Sequence, residues 1–113
     1  MWSQYTIRIQ TSGRGTRDIT GQVEEKVSGS GLSIGMAHVF IQHTSASLVL
    51  CENADPDVRR DLEGFLSRLA PDGDPLYRHD QEGPDDMAAH LRTVLTTSAL
   101  TLPIAQGRLA LGA

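Results

Sequence analysis

The amino-acid sequence predicts an α+β fold, with a mainly antiparallel β-sheet and helices packed on one face of it. Stretches with helical and with strand periodicity both occur, and most of the predicted strands are joined by short connections. Hydrophobic residues make up 39% of the 113 residues, which is enough for one folded core. We therefore expect a single domain over residues 1–113.

Two elements are predicted near the start of the chain. Apolar and polar residues alternate over Tyr5–Gln10, which indicates a half-buried strand. From about residue 18 to residue 27, apolar residues recur at every fourth position, which indicates a short amphipathic helix with Thr16 or Asp18 as its N-cap. The Gly29-Ser30-Gly31 sequence is expected to end this helix.

The next segment, from Gly35 to Leu50, holds two short apolar runs. The polar residues His43, Thr44 and Ser45 separate these runs. We interpret the segment as two strands that flank a kink or bulge at the centre of the sheet.

The second helix has the strongest boundary signals in the chain. Asp55 is the expected N-cap, Pro56 stands at the first helical position, and Pro71 stops the helix. Its apolar stripe is expected to consist of Val58, Leu62, Phe65, Leu66 and Leu69.

The C-terminal part begins with a long loop, predicted over Pro71–Pro84 because this stretch is rich in Pro, Gly and Asp. A third helix is expected from about residue 85 to residue 94. Two further strands are expected over Ser98–Ile104 and Arg108–Leu111, separated by a turn at Gln106-Gly107. The residues that the third helix is expected to bury are Met87, Leu91 and Val94.

Composition excludes several classes of protein. Ten Lys and Arg residues against fourteen Asp and Glu residues give a net charge of −4, which argues against a nucleic-acid partner. No apolar run approaches the roughly 20 residues of a membrane span, and no secretory leader opens the chain. The lone cysteine, Cys51, cannot form an internal disulfide. We therefore expect a cytoplasmic protein.

Three histidines are candidates for a metal site. Taken singly, His43 reads as a core histidine, His79 as a solvated loop residue and His90 as an ordinary residue of an amphipathic helix. Taken together, three imidazoles and a water form a known catalytic zinc arrangement. Asp86 lies four residues before His90 on the same helical face, where its carboxylate can orient that imidazole.

Other polar residues are candidates for catalysis and substrate binding. Glu52 and Asn53 follow a predicted strand, where they can face a pocket or merely form a helix-capping turn with Asp55. Ser45 and Ser47 can donate hydroxyl hydrogen bonds to a phosphate, although strand alternation would turn one of them outward. We place Glu52, Asn53 and Asp86 in catalytic roles. The predicted substrate-binding residues are Ser45, Ser47 and Arg78.

Five motifs occur in order along the chain: HTSASL at His43–Leu48, ENADPDVR at Glu52–Arg59, YRHD at Tyr77–Asp80, EGPDDMAAH at Glu82–His90 and SALTLPI at Ser98–Ile104. Together they resemble the YjbQ-type family, named the secondary thiamine-phosphate synthase family. The resemblance covers essentially the whole chain.

The resemblance implies an α+β subunit that assembles as a homotrimer. It also implies that His43, His79 and His90 line a pocket as ligands of a divalent metal, zinc in the first place. The implied activity joins a hydroxymethylpyrimidine diphosphate to a thiazole phosphate and releases pyrophosphate. The word "secondary" implies a side activity.

One departure from the family pattern concerns the end of the chain. Leu111-Gly112-Ala113 stands where the family's Gly-Thr-Trp-Gln-Gly stretch should begin. We therefore expect one strand of the family fold to be missing, whether the chain is naturally short or truncated.

Three hypotheses about function follow. The first is a small metal-assisted enzyme that acts on phosphorylated substrates, with added Mg²⁺ as an alternative source of positive charge. The second is a non-catalytic ligand-binding or regulatory module that uses the same pocket. The third is a structural trimer whose histidines only satisfy one another.

Overall fold

The computed structural model describes residues 2–112 and contains helices and strands in the mixture that the sequence predicts. Over these residues the elements in chain order are helix α1 (Thr20–Gly29), strand β1 (Gly35–Phe40), helices α2 (Pro56–Leu69) and α3 (Asp86–Leu95), and strands β2 (Ala99–Ala105) and β3 (Arg108–Leu109). The described strands form one antiparallel sheet in the order β1-β2-β3, so the predicted α+β class is confirmed. Ala113, which stands in the place of the threonine of the family's last motif, lies outside the described residues.

The chain divides into two compact units. The first contains the chain up to Ser12, Arg17–Val39 and the chain from Thr101 onward. The second contains Gly13–Thr16 and Phe40–Leu100. Every candidate site residue belongs to the second unit. The expected single domain stays a prediction.

The first unit is organised by a tight turn between β2 and β3. These strands pair antiparallel, with Ile104 opposite Leu109. The predicted turn at Gln106-Gly107 is confirmed, and both residues have positive φ, at 54° and 75°. Two left-handed residues in succession are typical of the turn whose twist matches that of a β-hairpin. Glycine adopts this conformation at no steric cost, which explains its place there.

Helix α1 packs beside this hairpin. Its Val23 and Val27 are buried, together with Leu102, Ile104 and Leu109 of the strands. The backbone N–H of Leu109 donates to Glu24 Oε1 at 2.9 Å, so α1 satisfies a donor of the short strand β3. Burial of aliphatic side chains at roughly 25 cal/mol per Å² is the main favourable free energy of this packing.

The second unit is built on α2 and α3. The predicted N-cap of α2 is confirmed, because the Asp55 side chain accepts the N–H of Asp57 at 2.9 Å and Pro56 follows at the first helical position. Leu66 and Ala70 at the end of α2 are buried, as is Ala88 of α3.

An ion pair also joins the two helices. Arg92 of α3 donates to both carboxylate oxygens of Glu63 of α2 at 3.2 Å. Arg14 approaches the same carboxylate at 3.4 Å and contacts Asp72 at 2.7 Å. The Glu63 carboxylate is therefore shared by two guanidinium groups, only one of which lies on a helix.

Two predicted strands are not present in the described residues. Residues 5–10 alternate as a strand does, but they form no strand, because a strand needs a neighbour to satisfy its backbone groups. The expected second strand within 41–50 is reduced to one antiparallel bridge between Leu48 and Thr97. There the Ser45 N–H donates to the His43 side chain, so a local bond takes a donor that a sheet would use.

Smaller differences concern the ends and faces of elements. Asp18 Oδ1 accepts the Thr20 N–H at 2.9 Å, but the residue at the N-cap of α1 is Ile19. Strand β3 ends at Leu109 instead of residue 111. The expected burial of Val94 is wrong, since it is 81% exposed. Six residues at 3.6 per turn place Val94 about 120° around the helix from the buried Ala88.

The apolar stripe predicted for α2 is only partly covered: Phe65 and Leu69 are about half exposed, whereas Leu66 is buried. Among the helices within residues 2–112, none has the length and apolar character that crossing a membrane requires.

Candidate metal centre

Three side chains of the second unit converge on one point. His79 lies in the loop after α2, Asp86 in the first turn of α3, and His90 one turn later. One ligand atom from each residue lies within 4.8 Å of the others. The loop that the sequence predicted, and the helix that follows it, therefore bring together two of the three predicted histidines.

Local structure explains why these residues meet. Asp86 and His90 are separated by four residues in a helix, so their side chains share a face. The loop before α3 is closed by backbone hydrogen bonding from Gly73 N–H to Pro84 O at 2.7 Å. The Tyr77 hydroxyl also donates to Pro71 O at 2.9 Å. These contacts hold the loop that carries His79.

The Asp86 carboxylate lies between the two imidazoles. Its Oδ2 atom is 2.6 Å from His79 Nε2 and 3.0 Å from His90 Nε2. Glu82 lies farther away, with its Oε2 atom 3.6 Å from His79 Nε2. The two rings stand edge to face, with their centroids 5.3 Å apart. One carboxylate oxygen therefore contacts both rings.

The proton positions on His90 follow from a second hydrogen bond. Its Nδ1 atom is 2.8 Å from the carbonyl oxygen of Thr44, which can only accept, so Nδ1 carries the proton. In the neutral ring the lone pair is then on Nε2, which faces a carboxylate oxygen. Two acceptors cannot bond to each other, so a proton or a cation has to lie between them.

This contact changes the role that the sequence suggested for Asp86. The carboxylate was expected to accept the ring N–H on the side of His90 away from a metal. In the structure, the Thr44 carbonyl faces Nδ1, and Asp86 faces Nε2, the nitrogen that would bind a metal. Sequence analysis missed Thr44, because a backbone carbonyl leaves no residue-type signal.

The electrostatics of the group follow from its hydrogen bonds. The bond from His79 to Asp86 raises the pKa of the His79 imidazole, and the charges of Asp86, Glu82 and Asp80 add to this effect against the cost of desolvation. The same bond to His79 lowers the pKa of Asp86, with smaller help from Glu82 and His90. The metal-free site therefore favours an imidazolium beside a carboxylate.

The donor set fits a divalent metal. Two imidazole nitrogens and one carboxylate oxygen are ligands that zinc and other transition metals accept in proteins. In the neutral His90 ring, the Nε2 lone pair is oriented toward Asp86, where such an ion would lie. His79 would have to release its proton, so metal binding here would be coupled to pH.

His43, the third predicted ligand, has other contacts. It is not among the residues of this group within the described chain. Its Nδ1 atom accepts the backbone N–H of Ser45 at 2.9 Å and lies 3.1 Å from the Ser45 hydroxyl. His43 lines a groove of about 590 Å³ with Phe40, Ile41, Gln42, Thr44 and Ser98.

The other candidate residues make local contacts. The Ser47 hydroxyl forms a hydrogen bond with the Thr96 hydroxyl, with the two oxygens 2.6 Å apart. Glu52 Oε2 accepts the Asp55 N–H at 3.1 Å, which is the capping-turn alternative. Asn53 Oδ1 accepts from Arg59 at 3.4 Å. Arg78 is exposed, next to His79 in the chain. Their catalytic and substrate-binding roles stay predictions.

Comparison with known proteins gives consistent results. The model of a family described as "UPF0047 protein YjbQ-like" matches residues 5–113. A UPF0047 protein of Synechocystis is 44% identical over 109 residues, which is 96% of this chain and 74% of that protein. The UPF0047 protein YjbQ of Salmonella typhimurium is 43% identical over 113 residues, which is 99% of this chain and 81% of the relative.

Two solved structures have folds similar to that of this chain. A conserved protein of the YjbQ/UPF0047 family from Clostridium acetobutylicum superposes with a TM-score of 0.82 at 38% identity, covering 93% of this chain and 79% of that one. A conserved hypothetical protein from Thermus thermophilus gives a TM-score of 0.82 at 40% identity, covering 94% and 79%.

The contact between His79 and Asp86 makes a testable prediction about titration. In chelator-treated protein, Asp86→Asn should lower the pKa of His79, measured by NMR, because the amide removes the charged partner of the main hydrogen bond. Glu82→Gln is the matched control and should lower that pKa less, since Glu82 acts only from 3.6 Å. A larger effect of Glu82→Gln would contradict this assignment.

The pKa shifts of His79 and Asp86 determine how this pair contributes to stability at each pH. The raised pKa of His79 means that its contribution is present below the unfolded pKa and is lost as pH rises through the folded one. The lowered pKa of Asp86 means that its contribution is present above the unfolded pKa and is lost as pH falls through the folded one. The pair thus stabilises the metal-free protein most between the unfolded pKa of Asp86 and the unfolded pKa of His79, and this stabilisation declines outside that window.

Proposed function

The chain belongs to the YjbQ-like UPF0047 family, and we propose that it is a small metal-assisted enzyme that acts on phosphorylated substrates. The observation that carries this proposal is the pair of contacts on His90. Its Nδ1 atom donates to the Thr44 carbonyl, so in the neutral ring the Nε2 lone pair faces Asp86 Oδ2 at 3.0 Å. A divalent cation held by His79, Asp86 and His90 would lie between these two acceptors in the place that a proton takes in the metal-free protein.

The ligand types favour zinc. Imidazole nitrogen suits zinc, whereas Mg²⁺ prefers an all-oxygen environment and enters such sites with substrate phosphates. Mg²⁺ is therefore the alternative cation, carried by the substrate. The imidazoles are partly exposed, with 43% of the His79 side chain and 31% of the His90 side chain accessible, so a small molecule can reach the centre.

The proposed reaction joins hydroxymethylpyrimidine diphosphate to thiazole phosphate, giving thiamine phosphate and pyrophosphate. Negative charge builds on the departing diphosphate, and an acidic chain of net charge −4 needs a source of positive charge there. A bound metal supplies that charge. Asp86 would bind this metal together with the two imidazoles, and Ser45, Ser47 and Arg78 are the candidate donors to phosphate oxygens.

We also propose that the protein assembles as a homotrimer. Several large apolar side chains are more than three quarters exposed in the single chain: Trp2, Ile34, Leu76 and Val94. Within the described residues, β1 and β3 are sheet edges whose outer backbone groups no other strand pairs. Exposed apolar surface and open sheet edges are both stabilised when copies of a chain cover them.

The metal proposal predicts the metal content of the protein. Purified protein that has not met a chelator should contain close to one zinc per subunit by elemental analysis. His90→Ala and Asp86→Asn should each lose it, because each removes a ligand. His38→Ala is the control, since His38 bonds to Thr101 and should leave the metal in place. Full metal content in His90→Ala would refute the assignment.

The reaction proposal predicts slow, metal-dependent release of pyrophosphate when both substrates are present. A chelator or His90→Ala should reduce the rate, whereas His38→Ala should not. The product should be identified as thiamine phosphate by mass spectrometry. If metal and phosphate bind but no product forms above background, the protein is a ligand-binding module instead.

The assembly proposal predicts a mass of three times the 12.2 kDa chain by light scattering at micromolar concentration. Val94→Glu and Leu76→Glu place charges on exposed apolar positions and should weaken assembly, whereas Gln22→Glu adds a charge at a polar exposed position of α1 and should not. A monomer at that concentration would contradict the proposal.

A further inference from the structure

His43 has the opposite proton arrangement from His90. The backbone N–H of Ser45 points at His43 Nδ1 from 2.9 Å, and an amide N–H can only donate. Nδ1 must therefore be the acceptor, and in the neutral ring the proton is on Nε2. His90 presents a lone pair at Nε2, whereas His43 presents an N–H donor there.

This arrangement is unsuited to binding a metal. A metal ligand must offer a lone pair, but the Nδ1 lone pair of His43 faces the Ser45 N–H and hydroxyl, and its Nε2 is protonated. His43 is also absent from the group whose ligand atoms lie within 4.8 Å of one another in residues 2–112. His43 is free to act as a hydrogen-bond donor.

The groove that His43 lines is suited to an anion. Its volume of about 590 Å³ lies in the range of small-molecule sites. Its lining includes Gln42, Thr44 and Ser98, residues whose side chains carry amide or hydroxyl donors, and it includes no carboxylate among the described residues. A second cavity, of about 290 Å³, is lined by the carboxylates of Asp74 and Asp80 as well as by His79, so it is less suited to an anion than the groove is.

The groove and the metal centre share a residue. Thr44 lines the groove, and its carbonyl oxygen accepts the Nδ1–H of His90 at 2.8 Å. A ligand that binds at His43 is therefore one residue along the chain from the contact that orients a metal ligand. We infer that His43 binds a phosphoryl oxygen of the substrate through its Nε2–H and is not a metal ligand. This inference rests on the proposed function.

The test measures phosphate affinity and metal content in the same variants. Inorganic phosphate is the probe, titrated calorimetrically into zinc-loaded protein. His43→Leu should weaken phosphate binding roughly tenfold, the loss of one hydrogen bond to a charged group. His43→Gln should recover most of the affinity, because its amide N–H can replace the Nε2–H donor. Both variants should keep their zinc. His38→Leu is the matched control and should change neither quantity.

The outcomes separate this inference from the proposed function. Loss of zinc in His43→Leu overturns the inference. It is also overturned if His43→Leu leaves the phosphate affinity unchanged, or if the parent protein does not bind phosphate. If the parent protein holds no zinc, the metal proposal fails, and the same titrations on metal-free protein still decide the role of His43. Nitrogen NMR should show the proton of neutral His43 on Nε2 and that of His90 on Nδ1; a proton on Nδ1 of His43 overturns the inference.

Discussion

Helix α3 is the element on which the second unit depends, because successive turns of it bind three different segments. Asp86 in its first turn contacts the loop at His79, and His90 in the next turn donates to the Thr44 carbonyl. Arg92 then pairs with Glu63 of α2. Any change that unwinds α3 would therefore release a loop, the bend at Thr44 and a helix together.

The same helix sets the chemistry of the candidate site. A helix places residues four apart on one face, so the carboxylate and one imidazole are positioned before any ligand arrives. The third group comes from a loop held by its own hydrogen bonds. His90 and His43 have opposite roles at Nδ1. The Nδ1 atom of His90 donates to the Thr44 carbonyl, whereas the Nδ1 atom of His43 accepts from the Ser45 amide.

The first unit is held together mainly by the packing of aliphatic side chains. Its buried residues are aliphatic side chains of α1 and the β2-β3 hairpin, and across residues 2–112 no large side chain is fully buried. Many apolar side chains remain exposed in the single chain. Residues 5–10 alternate as a strand does, but no strand of the described chain pairs with them. Assembly with another copy could supply that neighbouring strand.

The sequence by itself determined the features that depend on neighbours in the chain. The start of α2 at Asp55-Pro56 and the turn at Gln106-Gly107 were predictable because capping and left-handed backbone are local preferences. Only the tertiary structure decided which predicted strands find a partner and which face of α3 is covered. It also decided the roles of the histidines, since a tautomer depends on the group opposite each nitrogen. That group is a backbone carbonyl for His90 and a backbone amide for His43, and residue types carry no signal for either.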